Sequence, residues 1–133
     1  MTKITVAADC GNSPKKTFLR DWQVACAEGN AAYITEHISD DITLQSVGEA
    51  KVEGKQAVLE AINAMMNEPI AELVIHTIIT HGREGAVNGE IHCENGEVMA
   101  FCNVYMFKSA RGNALKAITS YVVQVPNPDK EDK

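Results

Sequence analysis

Residues 85–108, GAVNGEIHCENGEVMAFCNVYMFK, hold two alternating runs that meet at Asn95-Gly96, a dipeptide suited to the positive φ angles of a type I′ turn. The pattern predicts a long antiparallel hairpin. A two-residue turn would set Glu94 opposite Glu97, His92 opposite Met99, Glu90 opposite Phe101, Asn88 opposite Asn103 and Ala86 opposite Tyr105. Paired residues share a face. One face then carries Val87, Gly89, Ile91, Cys93, Val98, Ala100, Cys102, Val104 and Met106, an apolar set. The other mixes Asn88, Glu90 and His92 with Met99, Phe101, Asn103, Tyr105 and Phe107, the combination of bulk and hydrogen-bonding groups that a small-molecule cavity needs.

A chain of 133 residues with 45% hydrophobic content suits one domain with a real core. Its net charge of -6 is spread along the chain. With no basic stripe interleaved with aromatics, binding to nucleic acid or to an anionic membrane is not expected. Cys10, Cys26, Cys93 and Cys102 form no C-x-x-C pair. The register above puts Cys93 and Cys102 on one face but too far apart to bridge, so all four read as reduced thiols. The opening apolar run is too short for a signal segment and nothing later approaches a membrane span, so the expected location is cytoplasmic.

Before the hairpin the chain reads as three helices and two strands. Ser13-Pro14 starts a helix over residues 14–28, with Phe18, Leu19, Trp22, Ala25 and Cys26 as its apolar stripe and Gly29 as its end. Lys15, Lys16, Arg20, Asp21 and Gln23 fall outside that stripe. A second helix over 31–38 gives way at Ser39-Asp40-Asp41 to a short strand over 42–47, and a loop over 48–54 leads to a third helix over 55–67. That helix places Val58, Leu59, Ile62, Met65 and Met66 on one side. A β-branched strand over 71–81 is apolar enough to be covered on both faces. After the hairpin a last strand spans 115–125, and residues 126–133 read as a disordered tail. Helices followed by a meander of long strands make an α+β domain over residues 13–125, with residues 1–12 as an N-terminal extension.

This order of elements resembles the nuclear-transport-factor-2-like superfamily, and more closely its ketosteroid-isomerase-like and SnoaL-like polyketide-cyclase-like branch. The signposts are Glu28-Gly29-Asn30, Asp40-Asp41-Ile42-Thr43-Leu44, Gly54-Lys55-Gln56-Ala57-Val58 and Leu115-Lys116-Ala117-Ile118-Thr119-Ser120-Tyr121. The resemblance implies a cystatin-like cone, with three N-terminal helices packed in the concave face of a curved, mainly antiparallel sheet. It also implies a pocket open at one end and a homodimer through the outer sheet face. The isomerase-like enzymes use a carboxylate base at the end of the first strand, where this chain has Gln45 or Ser46. Their oxyanion-hole tyrosine and protonated acid correspond here to Trp22 and Asn103, both of which still donate hydrogen bonds.

The residues themselves nominate Glu90 as a carboxylate inside the cavity, with His76 across the strands as its imidazole partner, a catalytic pair if the turn at 81–85 is symmetric about Arg83. His92 reads as a rim residue and His37 as a core or surface histidine. Trp22, Asn103, Phe101, Tyr105, Met99, Asn88, Ile62 and Ile118 are the candidate ligand-binding residues. For Asn103, the plain structural alternative is a bond to Asn88. No His/Cys/Asp/Glu set has metal-ligand spacing and no Gly-rich phosphate loop occurs, so neither a metal nor another cofactor is expected. The expected partner is a small, mostly apolar ligand bearing a carbonyl or hydroxyl. An isomerase-, cyclase- or hydratase-like enzyme and a non-catalytic binding or dimeric assembly module both fit.

Overall fold

Ser13 and Pro14 open the first helix as their chemistry requires. The Ser13 hydroxyl accepts a bond from the Lys16 amide, Pro14 occupies the first turn, and Gly29 ends the helix at φ 71°. The computed structural model describes residues 2–7, 13–65 and 68–126. Helix α1 spans Pro14–Glu28, α2 spans Ala31–Glu36 and α3 spans Lys55–Met65; the strands are β1 Lys3–Val6, β2 Ile38–Ser46, β3 Val52–Glu53, β4 Ile70–His81, β5 Glu84–Cys93, β6 Val98–Phe107 and β7 Leu115–Val125. Cys10, Met66, Asn67 and the tail from residue 127 lie outside the described residues, and with them the readings of a reduced Cys10, of Met66 on the apolar side of α3, of an α3 end at 67 and of a disordered tail. Among the described residues no helix is long and apolar enough to cross a membrane.

One seven-stranded sheet runs in the order β1-β4-β5-β6-β7-β2-β3, parallel only where β1 meets β4 and β2 meets β7. The helices lie against its inner face. There Leu19 and Trp22 of α1, Val58 of α3, Ile75 of β4 and Tyr105 of β6 make up part of a single buried cluster. This is the α+β cone expected, with four differences. Residues 3–6, within the N-terminal extension, form a strand, held by pairs such as Lys3↔Glu72 and Val6↔Ile75. The loop expected over 48–54 contains β3. Helix α2 stops two residues early and β2 begins at Ile38, because pairing with Leu115 of β7 outweighs the turn preference of Ser39-Asp40-Asp41, which is taken up as an irregularity between Ile38 and Thr43. Strand β4 is covered on one side only, and Ile79 on its outer face is 60% exposed.

The largest correction concerns the hairpin register. The Cys93 amide bonds to the Glu97 carbonyl at 2.8 Å and the Gly96 amide to the Cys93 carbonyl at 3.0 Å, so the loop is Glu94-Asn95-Gly96, one residue longer than expected. Asn95 keeps a negative φ and only Gly96 goes positive, at 95°; a type I′ turn would need both. The pairs are therefore Glu90↔Ala100, Gly89↔Phe101, Asn88↔Cys102 and Val87↔Asn103. A one-residue shift sends every β5 side chain to the other face. Val87, Gly89 and Ile91 now join Phe101, Asn103 and Tyr105 inside, while Asn88, Glu90 and His92 join Ala100, Cys102 and Val104 outside. Cys93 and Cys102 consequently lie on opposite faces.

A second irregularity lies on the other side of β5. Its pairs with β4 change register between Ile75↔Gly89 and Thr77↔Asn88, leaving His76 as the extra residue of a bulge. The turn joining β4 to β5 is the two-residue Gly82-Arg83, since His81 pairs with Glu84, with Gly82 at φ 60°. At the bulge the strands come so close that a Cβ on Gly89 would collide with the Val74 carbonyl oxygen.

Candidate ligand-binding site

Helix α1 crosses the concave face so that Trp22 and Gln23 point at β6 and β7. Gln23 is 3% exposed although its side chain is polar. It follows Leu19 by four residues and precedes Cys26 by three, and that spacing puts it on the buried face. Its amide oxygen accepts from the Asn103 amide at 3.2 Å and from the Tyr105 hydroxyl. The Asn103 amide also donates to the Tyr105 oxygen at 3.2 Å, and the Ser120 hydroxyl donates to the Asn103 carbonyl oxygen at 2.7 Å. Asn103 and Ser120 are direct neighbours across β6 and β7.

Counting donors along this chain of bonds shows what is left over. Both Asn103 amide hydrogens are committed, one to Gln23 and one to Tyr105, so Asn103 is not the donor expected for a ligand carbonyl. Nor does it bond Asn88, which is on the outer face. The Gln23 amide N–H₂, by contrast, donates to no described residue. Among those residues no buried side-chain nitrogen or oxygen is sealed away without a partner, so this N–H₂ opens onto the adjoining cavity. That cavity, of about 40 Å³, is lined by Trp22, Gln23, Cys26, Leu44, Ile62, Met65, Asn103, Tyr105, Ile118 and Ser120, and has room for about two or three waters.

None of these side chains ionises near neutral pH. Burial pushes the Cys26 thiol up to about 12. The Tyr105 hydroxyl is raised well above its ordinary value, by burial first and by the nearby Cys26 second, with bonds from Asn103 and Trp22 opposing. The site is thus a neutral hydrogen-bonding end in an apolar wall. At the place of the missing carboxylate base, the Gln45 amide is turned to the Ser46 and Glu49 carbonyls at 3.3 and 2.6 Å. The Ser46 hydroxyl donates to the Met65 sulfur at 3.8 Å.

Of the residues nominated from sequence, Trp22, Asn103, Tyr105, Ile62 and Ile118 gather around this cavity, and Phe101 and Met99 lie further along the inner face of β6. Asn88, Glu90 and His76 are not in the pocket. Glu90 and His76 do meet, with His76 Nε2 3.9 Å from one carboxylate oxygen and His92 Nε2 2.9 Å from the other, but they do so part-exposed on the outer face. The three-residue loop moved Glu90 there. His37 is a packing residue, 4.2 Å from the Tyr33 ring and 5.2 Å from the Phe18 ring between centroids. Sequence alone does not point to Gln23 or Ser120: a glutamine beside an apolar stripe reads by its polarity, and the place of Ser120 depends on the pairing of β7. Among the described residues no group of three or more His, Cys, Asp or Glu is placed to hold a metal ion.

Fold and site together define a helix-lidded cone with a polar-ended pocket, a protein of the NTF2-like, cystatin-like class. The model of the SnoaL-like domain family matches residues 19–114, and the chain belongs to that family. No curated protein matches it in sequence. Among solved structures it is similar to an epoxide hydrolase/cyclase-like enzyme with a role in pyran ring formation in the polyether salinomycin, at 15% identity and a TM-score of 0.70 over 82% of this chain and 90% of that one. It is similar also to a putative SnoaL-like polyketide cyclase from Shewanella denitrificans OS-217, at 11% identity and a TM-score of 0.69 over 84% and 92%. A third is an NTF2-like protein from Burkholderia xenovorans LB400, at 16% identity and a TM-score of 0.67 over 89% and 91%. At such identities the likeness is one of fold.

Proposed function

We propose that this SnoaL-like protein binds an uncharged, mostly apolar small molecule through a carbonyl or hydroxyl seated against Gln23. The observation that carries the proposal is the Gln23 amide N–H₂, on a side chain fixed by two accepted bonds and left without a partner of its own among the described residues. A preorganised donor at the end of an apolar wall favours an oxygen acceptor brought in by a ligand, because the bond forms away from water and at little ordering cost. Between a binding protein and an isomerase-, cyclase- or hydratase-like enzyme, the lining favours binding: donors polarise a carbonyl, but no lining group is ready to take a proton at neutral pH. The test is to identify by native mass spectrometry whatever co-purifies with the protein, and to repeat the measurement on Gln23→Leu. A neutral carbonyl or hydroxyl compound carried by the wild type and lost from the variant is the expected result. Carriage of the same compound by both proteins would remove Gln23 from the site.

We propose further that two copies associate through the outer sheet face. Supporting this are Ile79 and Val123, 60% and 65% exposed, beside Val104 and Tyr121, and an apolar groove of about 460 Å³ that runs among Ile79, Ala100, Cys102 and Val123. An apolar surface of this kind costs free energy in water. Sedimentation at micromolar concentration should show a dimer that Val123→Lys dissociates; a wild-type monomer there rejects the association.

A further inference from the structure

The cavity at Gln23 is too small for the ligand proposed above, yet it is not isolated. Leu44 and Met65 line it on one side and on their other side line a groove of about 330 Å³ between α3 and the β2–β3 connection, walled also by Ser46, Glu49, Ala50, Val52, Ala61 and Ala64. The groove exists because α3 turns alanines to it and Ala50 faces them; larger side chains at these places would fill it. Between cavity and groove stands Met65, 45% exposed although apolar. Its unbranched thioether changes shape at low cost, and its one polar contact among the described residues is the weak bond from Ser46 at 3.8 Å.

We infer that cavity and groove are two ends of one site, whose ligand is an uncharged straight chain with a carbonyl at one end. The carbonyl accepts from the Gln23 amide, the chain passes Leu44 by displacing the Met65 side chain, and the tail lies along Ala50, Ala61 and Ala64. Charge sets the class. Among the described residues no cation lines either space, and Glu49 lines the groove, so a carboxylate finds no counter-ion among them at the inner end and meets a like charge on entry. This inference rests on the binding role of Gln23 and adds to it the shape and charge of what is bound.

The probe is a series of straight-chain methyl ketones of increasing length, titrated against the full chain by calorimetry and by the fluorescence of Trp22, the chain's single tryptophan. Affinity should rise about fourfold for each added methylene, the ratio expected for burying one such group, and then level off when the groove is full. Ala61→Leu should make it level off at a shorter chain. Ala64→Leu, on the exposed side of α3, should do the same and cannot disturb the core if the first variant folds poorly. Fatty acids of equal length should bind at least tenfold more weakly. Gln23→Leu should weaken every ketone equally, whatever its length. If Gln23→Leu weakens all ketones while both alanine variants keep the wild-type length profile, the tail does not use the groove and the inference fails, with the binding role of Gln23 intact. If Leu59→Phe, beside the smaller space of about 130 Å³ between α2 and α3, shortens the profile instead, the tail takes that other path and the inference fails likewise. Equal binding of ketones and fatty acids overturns the charge assignment, and no binding of any ketone to the wild type overturns both readings.

Discussion

On its inner side the β5–β6 hairpin carries Val87, Phe101 and Tyr105, all buried, around hydroxyl and amide groups that bond one another. On its outer side the same two strands carry Glu90 and His92 part-exposed and Val104 and Met106 exposed. Both sides contain polar groups, but of different kinds. Inside, the polar side chains that bond one another at Gln23 are all neutral, because a charge taken from water there would need a counter-charge. Outside, a carboxylate sits between two imidazoles, and water screens it so well that the geometry does little for stability. A cluster that looks catalytic in composition is therefore the weaker interaction. A neutral set with no acid or base is the one that lines the proposed binding site.

Substitutions on the two faces should differ in cost accordingly, and the differences are measurable. The largest effect is expected on the inner face at Gly89. Adding a methyl group in Gly89→Ala drives a Cβ into the Val74 carbonyl and should cost roughly 3 kcal/mol or more in urea unfolding; a loss below about 1 kcal/mol would mean that the bulge at His76 yields freely. Next is the alkaline response of the inner face. The folded Cys26 thiol, held at about 12, stays protonated where the unfolded thiol ionises, from about pH 8.5. Stability from this group is complete below that pH and falls by ~1.4 kcal/mol per pH unit as the pH rises toward the folded value. Cys26→Val should remove that slope, and parallel profiles for the two proteins between pH 8 and 10 would refute the assignment.

Tyr105→Phe should cost about 1–2 kcal/mol, since Gln23 keeps its bond from Asn103 and loses only the hydroxyl. The smallest effect belongs to the outer face. Glu90→Gln should change stability by less than about 1 kcal/mol and leave ligand affinity untouched. A Glu90→Gln variant that loses binding would break the comparison, because it would return the carboxylate to the pocket.

Much of this was legible in the sequence for identifiable reasons. The ends of α1 are written in Ser13-Pro14 and Gly29, and the inward set of β6, Phe101, Asn103 and Tyr105, follows from alternation once the helices are placed. The face of Glu90 was not legible. Asn95-Gly96 serves a two-residue loop when Asn95 takes a positive φ and a three-residue loop when only Gly96 does, and the letters are the same in both cases. The partners of Gln23 were hidden for another reason: Asn103 lies 80 residues and Tyr105 82 residues along the chain. A glutamine at the edge of an apolar stripe reads as solvated until the strand that receives it is known. Ser120 waited in the same way on the register between β6 and β7.

Gly89, finally, does more than allow two strands to approach. A misaligned β4–β5 pair, slipped by one residue in either direction, would bring Asn88 or Glu90 to the carbonyl that Gly89 now faces, and each carries the Cβ that this place rejects. The close approach should therefore disfavour a slipped register. Hydrophobic alternation opposes the same slip, since it would turn Asn88, Glu90 and His92 inward, and the backbone collision adds to that penalty. Of the two glycines on the inner face of β5, Gly85 and Gly89, it is Gly89 that meets the backbone of β4, and the positions of Val87, Phe101 and the pocket behind them depend on that alignment.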